Sequence, residues 1–592
     1  MNALLPKFAL PFRSTLRRVK AKLAGPVTTD FDISNIEAVN AEFIAHGVEP
    51  LHATETTPVR FILFLAITKR KYFPTALTDG PDGEFARWLT SQLPTMGESF
   101  RECFLNPPGE PVKRVYEVRE DLREKYPFAL TPHQRREYLA WLLVHGRPDL
   151  GLTYEGILWC LLEHDETPDR GLIPTYLTQP QWQSDQPAAL TATGWFAFRK
   201  YLQSRYSISS RWLKRAALPP PPFPERAESS TPLGVNVIGH YRYASGLQEA
   251  CVGVVNALGT QHVRVMKRDL PVHHPSDWRD RERYQGLETF DTTIYVAAVN
   301  TFPKEYFRRS GLHMRRGVKR IALWYWEVDR LPDEWNDELT WADEVWAPTS
   351  FLAETYRRHV KVPVIPMLPG VRVPSFEAKP RAYFGLPSDR FAILFSFDMG
   401  SVMDRKNPLG LIAAYKQAFH SDDRVHLCIK VSRGKYHPEN LARLKAACRE
   451  VGATLIDDVL VREDALTLLN TADCYASLHR AEGLGLGLAE CMLLGKPVVA
   501  TAYSGNLDFM TPETSYLVNA TTVPIIDTPP YPAGSVWAEP DITHAASQLR
   551  RLFDDRDEAK SIALRGQDHV RTLLSVEAAG RRMAERLREI KK

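Results

Sequence analysis

Residues 391–432 of the chain read "FAILFSFDMGSVMDRKNPLGLIAAYKQAFHSDDRVHLCIKVS". The two ends, residues 391–398 and 425–432, are apolar runs of strand length, and residues 407–419 between them carry apolar residues at helical spacing. Two such runs joined by a helix are typical of a β–α–β unit, whose strands are parallel and buried on both faces. This segment therefore predicts a parallel sheet covered by helices.

The same alternation continues on both sides of this segment. Further apolar runs follow at residues 453–460, 474–479 and 497–503, and an earlier series occupies residues 233–370. Two such series predict an α/β fold with two facing, doubly wound, Rossmann-like domains. We expect ligands to bind in the crevice at the carboxyl ends of the strands.

A proline-rich segment, "AALPPPPFPERAESSTP" at residues 216–232, precedes the α/β series and is typical of a stiff linker. Residues 31–215 are predicted to form a mainly α-helical N-terminal domain, with helices over residues 131–146 and 191–206. No motif in this domain indicates its role. The predicted segments are a basic tail (1–30), the helical domain (31–215), the linker (216–232) and two α/β domains (233–380 and 381–592), the last helix crossing back to the first α/β domain.

Composition excludes several classes of protein. The net charge of +4 over 592 residues is small for a nucleic-acid binder, so we expect no nucleic-acid partner. The seven cysteines include no C-x-x-C pair, which favours buried thiols in a reducing compartment over disulfides or zinc. No apolar run approaches the roughly 20 residues that a transmembrane helix needs.

The first 25 residues carry six basic residues and no acidic one. They lack the apolar core and cleavage site of a signal peptide. A basic amphipathic segment of this kind can lie on an anionic membrane, and a frayed tail is the alternative, which stays open. The expected location is cytoplasmic, with peripheral contact at the inner face of the membrane under the first alternative.

The stretch "HRAEGLGLGLAECMLLGKPVVATAYSGNLDFM" at residues 479–510 allows two interpretations. A dinucleotide loop needs G-x-G-x-x-G after the first strand, whereas "GLGLG" has another spacing and lies late in its series. The alternative places the chemistry in Glu482, on a strand-to-helix loop, and Glu490, in the first turns of the next helix. A carboxylate accepts two hydroxyl hydrogen bonds, which suits the vicinal diols of sugars, so we prefer this interpretation.

At this point the sequence resembles a known family. The E-x7-E arrangement "EGLGLGLAE" is similar to the donor-site motif of retaining family-4 glycosyltransferases of the GT-B fold. "GKPVVATAYSGNLDFM" continues the similarity, and "WYWEVDRLPDEWNDELTWADEVWAPTSFLAE" at residues 324–354 resembles the bacterial polysaccharide members. The resemblance covers residues 233–592. It implies an acceptor-side domain at 233–380 and a nucleotide-sugar donor domain at 381–592.

The resemblance also implies roles for individual residues. Glu490 would bind the ribose hydroxyls of the nucleotide, and Glu482 would contact the transferred sugar as a catalytic residue. Glycines let a ligand approach the backbone closely, and backbone N–H groups can bind anionic oxygens. The residues expected to meet the sugar and diphosphate in this way are Gly483, Leu484, Gly485 and Leu486.

Cations for the diphosphate are expected from Arg405 and Lys406, at a helix start after a strand, and from Lys430 near the end of another strand. Many family members carry an arginine after the first strand of this domain, where the present chain has Phe397 and Asp398. No D-x-D motif lies convincingly at a strand end. We therefore expect no metal and no cofactor, the nucleotide sugar being a co-substrate.

On the acceptor side, "IGHYRYASGLQEA" at residues 238–250 resembles the family's glycine loop, with Gly246 in the cleft and Gln248 where many relatives have a second glycine. His240 is a candidate cleft residue or a buried structural histidine. Glu327, at the end of "IALWYWE", is expected to face the acceptor. A histidine that many relatives place near the reacting sugar has no counterpart at Asn300.

These patterns together predict a metal-independent, retaining hexosyltransferase-type enzyme. It would move a sugar from a nucleotide-diphosphate donor to a glycan or lipid-linked acceptor in cell-surface polysaccharide biosynthesis. One alternative is a non-catalytic sugar-binding or scaffold protein. A second is a GT-B epimerase or phosphorylase.

Overall fold

A computed structural model of the chain describes residues 31–206, 208, 210–215, 233–272 and 286–591. The predicted basic tail and the predicted linker lie outside the described residues. Three parts follow one another in the described chain: a helical region, a first sheet domain and a second sheet domain.

The helical region contains two apolar cores, one built mainly from the helices before residue 167 and one from the helices after it. Among its helices, α12 matches the predicted helix at residues 191–206 almost residue for residue. Helices α1–α13 are Ile36–Ala45, Pro58–Thr68, Glu84–Gln92, Gly97–Leu105, Glu110–Val118, Glu120–Lys125, Arg135–Trp141, Arg147–Leu150, Tyr154–Glu166, Pro168–Leu177, Pro180–Asp185, Ala192–Tyr206 and Ser210–Arg215.

The predicted bounds of the helix at residues 131–146 are wrong. The hydroxyl of Thr131 donates to the carbonyl of Phe128 instead of capping a helix, and α7 begins only at Arg135. Gly146 keeps helical dihedrals, and the helical path continues to Gly151, whose φ of 66° lies in the left-handed region that ends helices. A glycine in a helical pattern is therefore not by itself a stop.

The first sheet domain has six parallel strands in the order β2-β1-β3-β4-β5-β6. The central strands β1 and β3 are almost wholly buried, as their apolar sequences predict. Its elements are β1 (Gly234–Gly239), α14 (Gly246–Thr260), β2 (Arg264–Asp269), β3 (Thr292–Ala298), α15 (Pro303–Ser310), β4 (Lys319–Tyr325), β5 (Glu344–Ala347), α16 (Ser350–Arg357) and β6 (Val364–Pro366).

The second sheet domain also has six parallel strands, in the order β12-β11-β10-β7-β8-β9. Strands β7 and β8 have the predicted bounds. Its elements are β7 (Phe391–Asp398), α17 (Met403–Lys406), α18 (Pro408–Ala418), β8 (Val425–Ser432), α19 (Pro438–Glu450), β9 (Thr454–Asp457), α20 (Arg462–Thr471), β10 (Cys474–Ser477), α21 (Leu486–Leu493), β11 (Val498–Thr501), β12 (Tyr516–Val518), an antiparallel hairpin of β13 (Ala520–Pro524) and β14 (Val536–Pro540), α22 (Ile542–Asp554), α23 (Arg556–Leu573) and α24 (Val576–Lys591).

The last helix, α24, lies on the first sheet domain. Its Gly580 packs so closely on α14 that a Cβ there would lie 2.1 Å from the carbonyl oxygen of Ala257. Arg586 pairs with the buried Glu344 of β5 at 2.6 Å. The chain therefore crosses between the two sheet domains twice, after β6 and again before α24, and the fold is the expected pair of Rossmann-like domains after a helical region.

The helical region is attached to the first sheet domain by buried hydrogen bonds. Arg268 of β2 donates to the carbonyl oxygens of Leu177 and Ser310. The side-chain amide of Gln183 donates to the carbonyl oxygen of Gly311 at 2.9 Å. Charged and amide donors that are buried at a contact between two regions need hydrogen-bond partners. These bonds therefore fix the helical region at this end of the sheet.

Three further observations concern the cysteines, membrane-spanning helices and metal sites. All seven cysteines lie in described residues, are unpaired and, apart from the partly exposed Cys103, are buried as predicted. No helix of the described ranges is long and apolar enough to cross a membrane. In the same ranges, no group of three His, Cys, Asp or Glu side chains is placed to hold a metal ion.

Candidate active site

A cleft of about 510 Å³ lies between the two sheet domains. In the second domain, the strand order reverses between β7 and β10, and a doubly wound sheet binds ligands at such a switch point. The end of β8 and the residues that follow β7, β9 and β10 line one wall, and the loop before α14 and the end of β4 line the other. The predicted crevice is therefore present.

Arg405 and Lys406 enter the cleft from the one-turn helix α17. The backbone then turns at Asn407, whose φ of 52° is left-handed and whose side chain caps α18 and donates to the carbonyl oxygen of Leu478 at 2.9 Å. Arg405 is only 2% exposed and donates to the carbonyl oxygen of Ala481 at 2.7 Å. These bonds tie the two cations to the loop that follows β10.

Glu482 lies on that loop and contacts both cations. The Nζ of Lys406 donates to its Oε1, and the Nη1 of Arg405 lies 3.4 Å from its Oε2. The Nη2 of Arg405 lies 3.7 Å from Glu327 of the other domain. Two cations and two carboxylates therefore meet at the centre of the cleft.

The charges of this cluster support one another. Burial raises the pKa of Glu482, but the charges of Lys406 and Arg405 outweigh it and lower that pKa to about 2. Burial lowers the pKa of Lys406, against the attraction of Glu482. Glu482 is thus a carboxylate at any physiological pH, and Lys406 is a cation whose charge depends on its anionic neighbour.

The predicted glycine loop holds the two domains close together. A Cβ on Gly483 would lie 2.3 Å from the carbonyl oxygen of Trp326 in the first domain, so this position needs glycine. The hydroxyl of Thr349 donates to the carbonyl oxygen of Gly483 at 3.0 Å. Gly485 has a φ of 89° and turns the chain into α21. The predicted backbone residues that line the cleft are Gly483, Leu484, Gly485 and Leu486.

Glu490 lies on the second turn of α21, faces the cleft and is buried. Burial raises its pKa, and Arg462 opposes this effect. The Nη2 of Arg462 lies 2.5 Å from Oε1 of Glu490, and its Nε lies 3.3 Å from Glu249 of α14. The carboxylate predicted to bind a sugar diol is thus already paired with a guanidinium.

Lys430 lines the cleft from β8, two residues before the strand ends. Its Nζ donates to the hydroxyl of Ser432 at 2.5 Å. Burial lowers the pKa of Lys430 to about 8, although the nearby Asp398 opposes this effect. Asp398 also pairs with Arg433, which donates to the carbonyl oxygen of Ala244 across the cleft at 2.8 Å.

On the opposite wall, Gly246 and Glu327 line the cleft as predicted, and a Cβ at Gly246 would meet no atom within 4 Å. The side-chain amide of Gln248 donates to the carbonyl oxygen of Tyr241, so the residue that replaces a glycine of relatives holds its own loop. His240 is not among the cleft-lining residues. It is buried, its Nδ1 lies 2.9 Å from the carbonyl oxygen of Leu270, and burial lowers its pKa to about 4. The alternative of a buried structural histidine therefore fits His240.

Three side chains of the site were not predicted from the sequence. Arg462 and Glu249 are described above. Tyr531, on the loop between β13 and β14, interacts electrostatically with Arg405, and its ring centroid lies 5.5 Å from that of Trp326. These contacts join residues far apart in the sequence, and no spacing rule reveals them.

Part of this wall of the cleft is similar to a known protein family. Residues 392–526 match the family model described as "Glycosyl transferases group 1". The match spans the sheet from β7 through β12 and supports a glycosyltransferase of the GT-B fold. The predicted donor-side residues that fall inside it are Arg405, Lys406, Lys430, Glu482, Gly483, Leu484, Gly485, Leu486 and Glu490.

No curated protein matches the chain. Similar solved structures include HepE of Anabaena in complex with UDP and glucose, at 13% identity over 60% of this chain and 100% of that chain, with a TM-score of 0.45. A glycosyltransferase of Rickettsia africae is similar at 13% identity over 61% of this chain and 99% of that chain, with a TM-score of 0.44. Sucrose-phosphate synthase of Thermosynechococcus elongatus is similar at 16% identity over 60% and 99%, with a TM-score of 0.43.

Proposed function

We propose that the protein is a retaining glycosyltransferase that moves a sugar from a nucleotide-diphosphate donor to a hydroxyl of a glycan or lipid-linked acceptor. One observation carries the proposal: Arg405 and Lys406 meet Glu482 in a cleft whose next helix presents Glu490. Cations for a diphosphate, a carboxylate for a sugar and a carboxylate for a ribose thus lie along one wall. The family match to residues 392–526 supports the same activity.

The proposed reaction breaks the bond between the sugar C1 and the diphosphate oxygen. The acceptor oxygen forms the new bond to C1, and its proton leaves on the departing diphosphate. Negative charge grows on the diphosphate and positive charge grows on the sugar ring as the bond breaks. Lys406 and Arg405, with Lys430, would stabilise the first charge, and Glu482 would position the sugar and stabilise the second.

Several finer features are part of the proposal. Front-side attack would give retention without a protein nucleophile. Protein cations would do the work that a metal ion does in other transferases, so turnover would need no metal. Glu327, on the acceptor-side domain, would face the incoming hydroxyl. With such an acceptor, the enzyme would act in cell-surface polysaccharide biosynthesis in the cytoplasm.

A panel of UDP-, GDP-, ADP- and dTDP-sugars, tested for slow donor hydrolysis with EDTA present, checks the proposal. We expect the sugars of one nucleotide class to be hydrolysed slowly, and we expect calorimetry to detect the binding of that nucleotide. Binding without turnover for every sugar and acceptor offered would favour the non-catalytic sugar-binding alternative. Turnover that yields a free epimer or a sugar phosphate would favour the epimerase or phosphorylase. If the protein neither bound nor turned over any donor, the donor site itself would be rejected.

A further inference from the structure

Arg462 stands between the two domains at the nucleotide end of the cleft. It is the first residue of α20 in the second domain and lines the cleft. Its Nη2 lies 2.5 Å from Oε1 of Glu490, and its Nε lies 3.3 Å from Oε2 of Glu249 on α14 of the first domain. The same Nη2 is 3.3 Å from the carbonyl oxygen of Arg372, on the segment that joins the domains. One guanidinium therefore connects a donor-site carboxylate, the opposite domain and the interdomain connection.

Glu490 depends on this contact because it is buried. Its side chain is 5% exposed, and a buried carboxylate without a cation becomes protonated more easily. The other titratable groups that interact with it are Glu249, which repels it, and Tyr475 and Cys491, whose pKa values burial raises, so that both are uncharged at neutral pH. Arg462 is the only cation that acts on Glu490 among the described residues.

The contact also fixes which part of Glu490 stays available. Arg462 occupies Oε1, and a planar guanidinium in this place restrains the orientation of the carboxylate. Oε2 is left for a ligand hydroxyl. Ionised acceptors form hydrogen bonds roughly twice as strong as neutral ones, so the charge state of Glu490 bears directly on how well a ribose diol binds.

The second arm of Arg462 crosses the cleft. Burial raises the pKa of Glu249, and Arg462 lowers it, so each carboxylate gains from the shared cation. Glu249 lies on the first turn of α14, which begins at Gly246 directly after the loop that lines this wall of the cleft. The position of this loop and the orientation of Glu490 are therefore linked through one side chain.

We propose that Arg462 is a positioning residue that keeps Glu490 oriented for the nucleotide ribose and joins it to the acceptor-side domain through Glu249. The inference rests on the proposed function, because it takes the ligand of Glu490 to be the ribose of a nucleotide diphosphate. It assigns to Arg462 no contact with the reacting atoms.

The test measures nucleotide binding by calorimetry between pH 6 and pH 8. UDP, GDP and ADP are each titrated into the full-length protein, and the tightest is used with its 2′-deoxy counterpart. The variants are Arg462→Ala, Arg462→Lys, Glu249→Gln and the double variant Arg462→Ala with Glu249→Gln. Arg424→Ala is the matched control, since Arg424 is exposed and pairs with Asp389 just before β7.

We expect Arg462→Ala to weaken binding about tenfold or more, because a hydrogen bond to a charged group is lost. The affinity of Arg462→Ala for the nucleotide should also fall more steeply than that of the wild type as the pH drops. The diphosphate itself titrates in this range, and the wild-type profile is the reference that corrects for this effect. The preference for the ribonucleotide over its 2′-deoxy form should shrink. Arg462→Lys should restore part of the loss, since it returns a cation without the planar fork.

Glu249→Gln should weaken binding less than Arg462→Ala, and the double variant should bind no worse than Arg462→Ala, because both changes act through one guanidinium. Additive losses would overturn the link to Glu249. Wild-type affinity and an unchanged pH profile in Arg462→Ala would overturn the inference while leaving the proposed function intact. Failure of the wild type to bind any of the three ribonucleotides would overturn the inference, and failure to bind or turn over any donor of the panel, dTDP-sugars included, would overturn the proposed function as well.

Discussion

The guanidinium of Arg405 lies 3.4 Å from the carboxylate of Glu482 at the point where the two domains meet, and the Arg405 side chain is buried while that of Glu482 is partly buried. Lys406 donates to the same carboxylate. A buried cation needs an anionic partner, and here Glu482 supplies it. A diphosphate entering the cleft would offer the cations a second anionic partner, so binding and catalysis should both depend on this cluster.

Lys406→Ala tests the more exposed of the two cations that contact Glu482. Loss of a preorganised charge at the site of developing negative charge should lower kcat about 100-fold or more. The measurement is steady-state release of nucleoside diphosphate from the donor that the panel identifies. Lys416→Ala is the control, because Lys416 lies on α18 with an exposed side chain paired to Glu450. Equal kcat values in the two variants would remove Lys406 from the catalytic cluster.

The pH dependence of donor binding tests Lys430. Burial lowers the pKa of Lys430 to about 8, so the side chain is charged below pH 8 and loses its charge above it. Affinity for a nucleoside diphosphate should therefore be steady from pH 7 towards 8 and decline as the pH rises further. An arginine stays charged throughout this range, so Lys430→Arg should carry the plateau to higher pH. The same decline in both proteins would assign the titration to another group.

Glu490→Ala tests the ribose assignment. Hydrogen bonding from the ribose to the Oε2 that Arg462 leaves open would be lost, and a hydrogen bond to a charged group contributes about 1.5–3 kcal/mol. The nucleotide Kd should rise at least about tenfold, and discrimination between a ribonucleotide and its 2′-deoxy form should disappear. The control is Glu450→Ala on the exposed surface of α19. Retained discrimination in Glu490→Ala would place the ribose elsewhere.

Gly483→Ala tests the close contact between the domains. The added Cβ would lie 2.3 Å from the carbonyl oxygen of Trp326, and neither backbone can yield without opening the cleft. The free energy of unfolding should fall by about 1–3 kcal/mol, as in other overpacked sites, and turnover should fall with it.

Gly259→Ala on α14 is its control, because a Cβ there meets no atom within 4 Å. Calorimetric unfolding of the two variants makes the comparison. A Gly483→Ala protein as stable and as active as the wild type would show that the domains do not need this contact.

Much of the fold could be predicted because apolar runs report burial directly. Strands β7 and β8 have the predicted bounds, since both lie inside a sheet that helices cover on each face. The helix at residues 131–146 could not be bounded in this way. Gly146 resembles a stop signal in the sequence, but its backbone stays helical, and the turn occurs at Gly151.

The residues of the site also fall into those that a local sequence pattern reveals and those that it does not. Glu482 and Glu490 could be found because a fixed spacing on one loop and helix places them in the cleft. Arg462, Glu249 and Tyr531 could not, because their contacts join separate elements across the interdomain space. His240 shows the converse, since it follows a strand as a cleft residue would, yet a carbonyl oxygen holds it in the interior.

The central claim is that this cleft transfers sugar from a nucleotide sugar. The most direct test compares nucleoside-diphosphate release by the wild type and by Lys406→Ala over the full donor panel, with EDTA present and with folding checked by calorimetry. If this claim holds, the wild type releases nucleotide from one class of donor, and the variant releases it at least about 100-fold more slowly. The claim would be contradicted if the folded wild type neither bound nor turned over any donor, or if both proteins released nucleotide at the same rate.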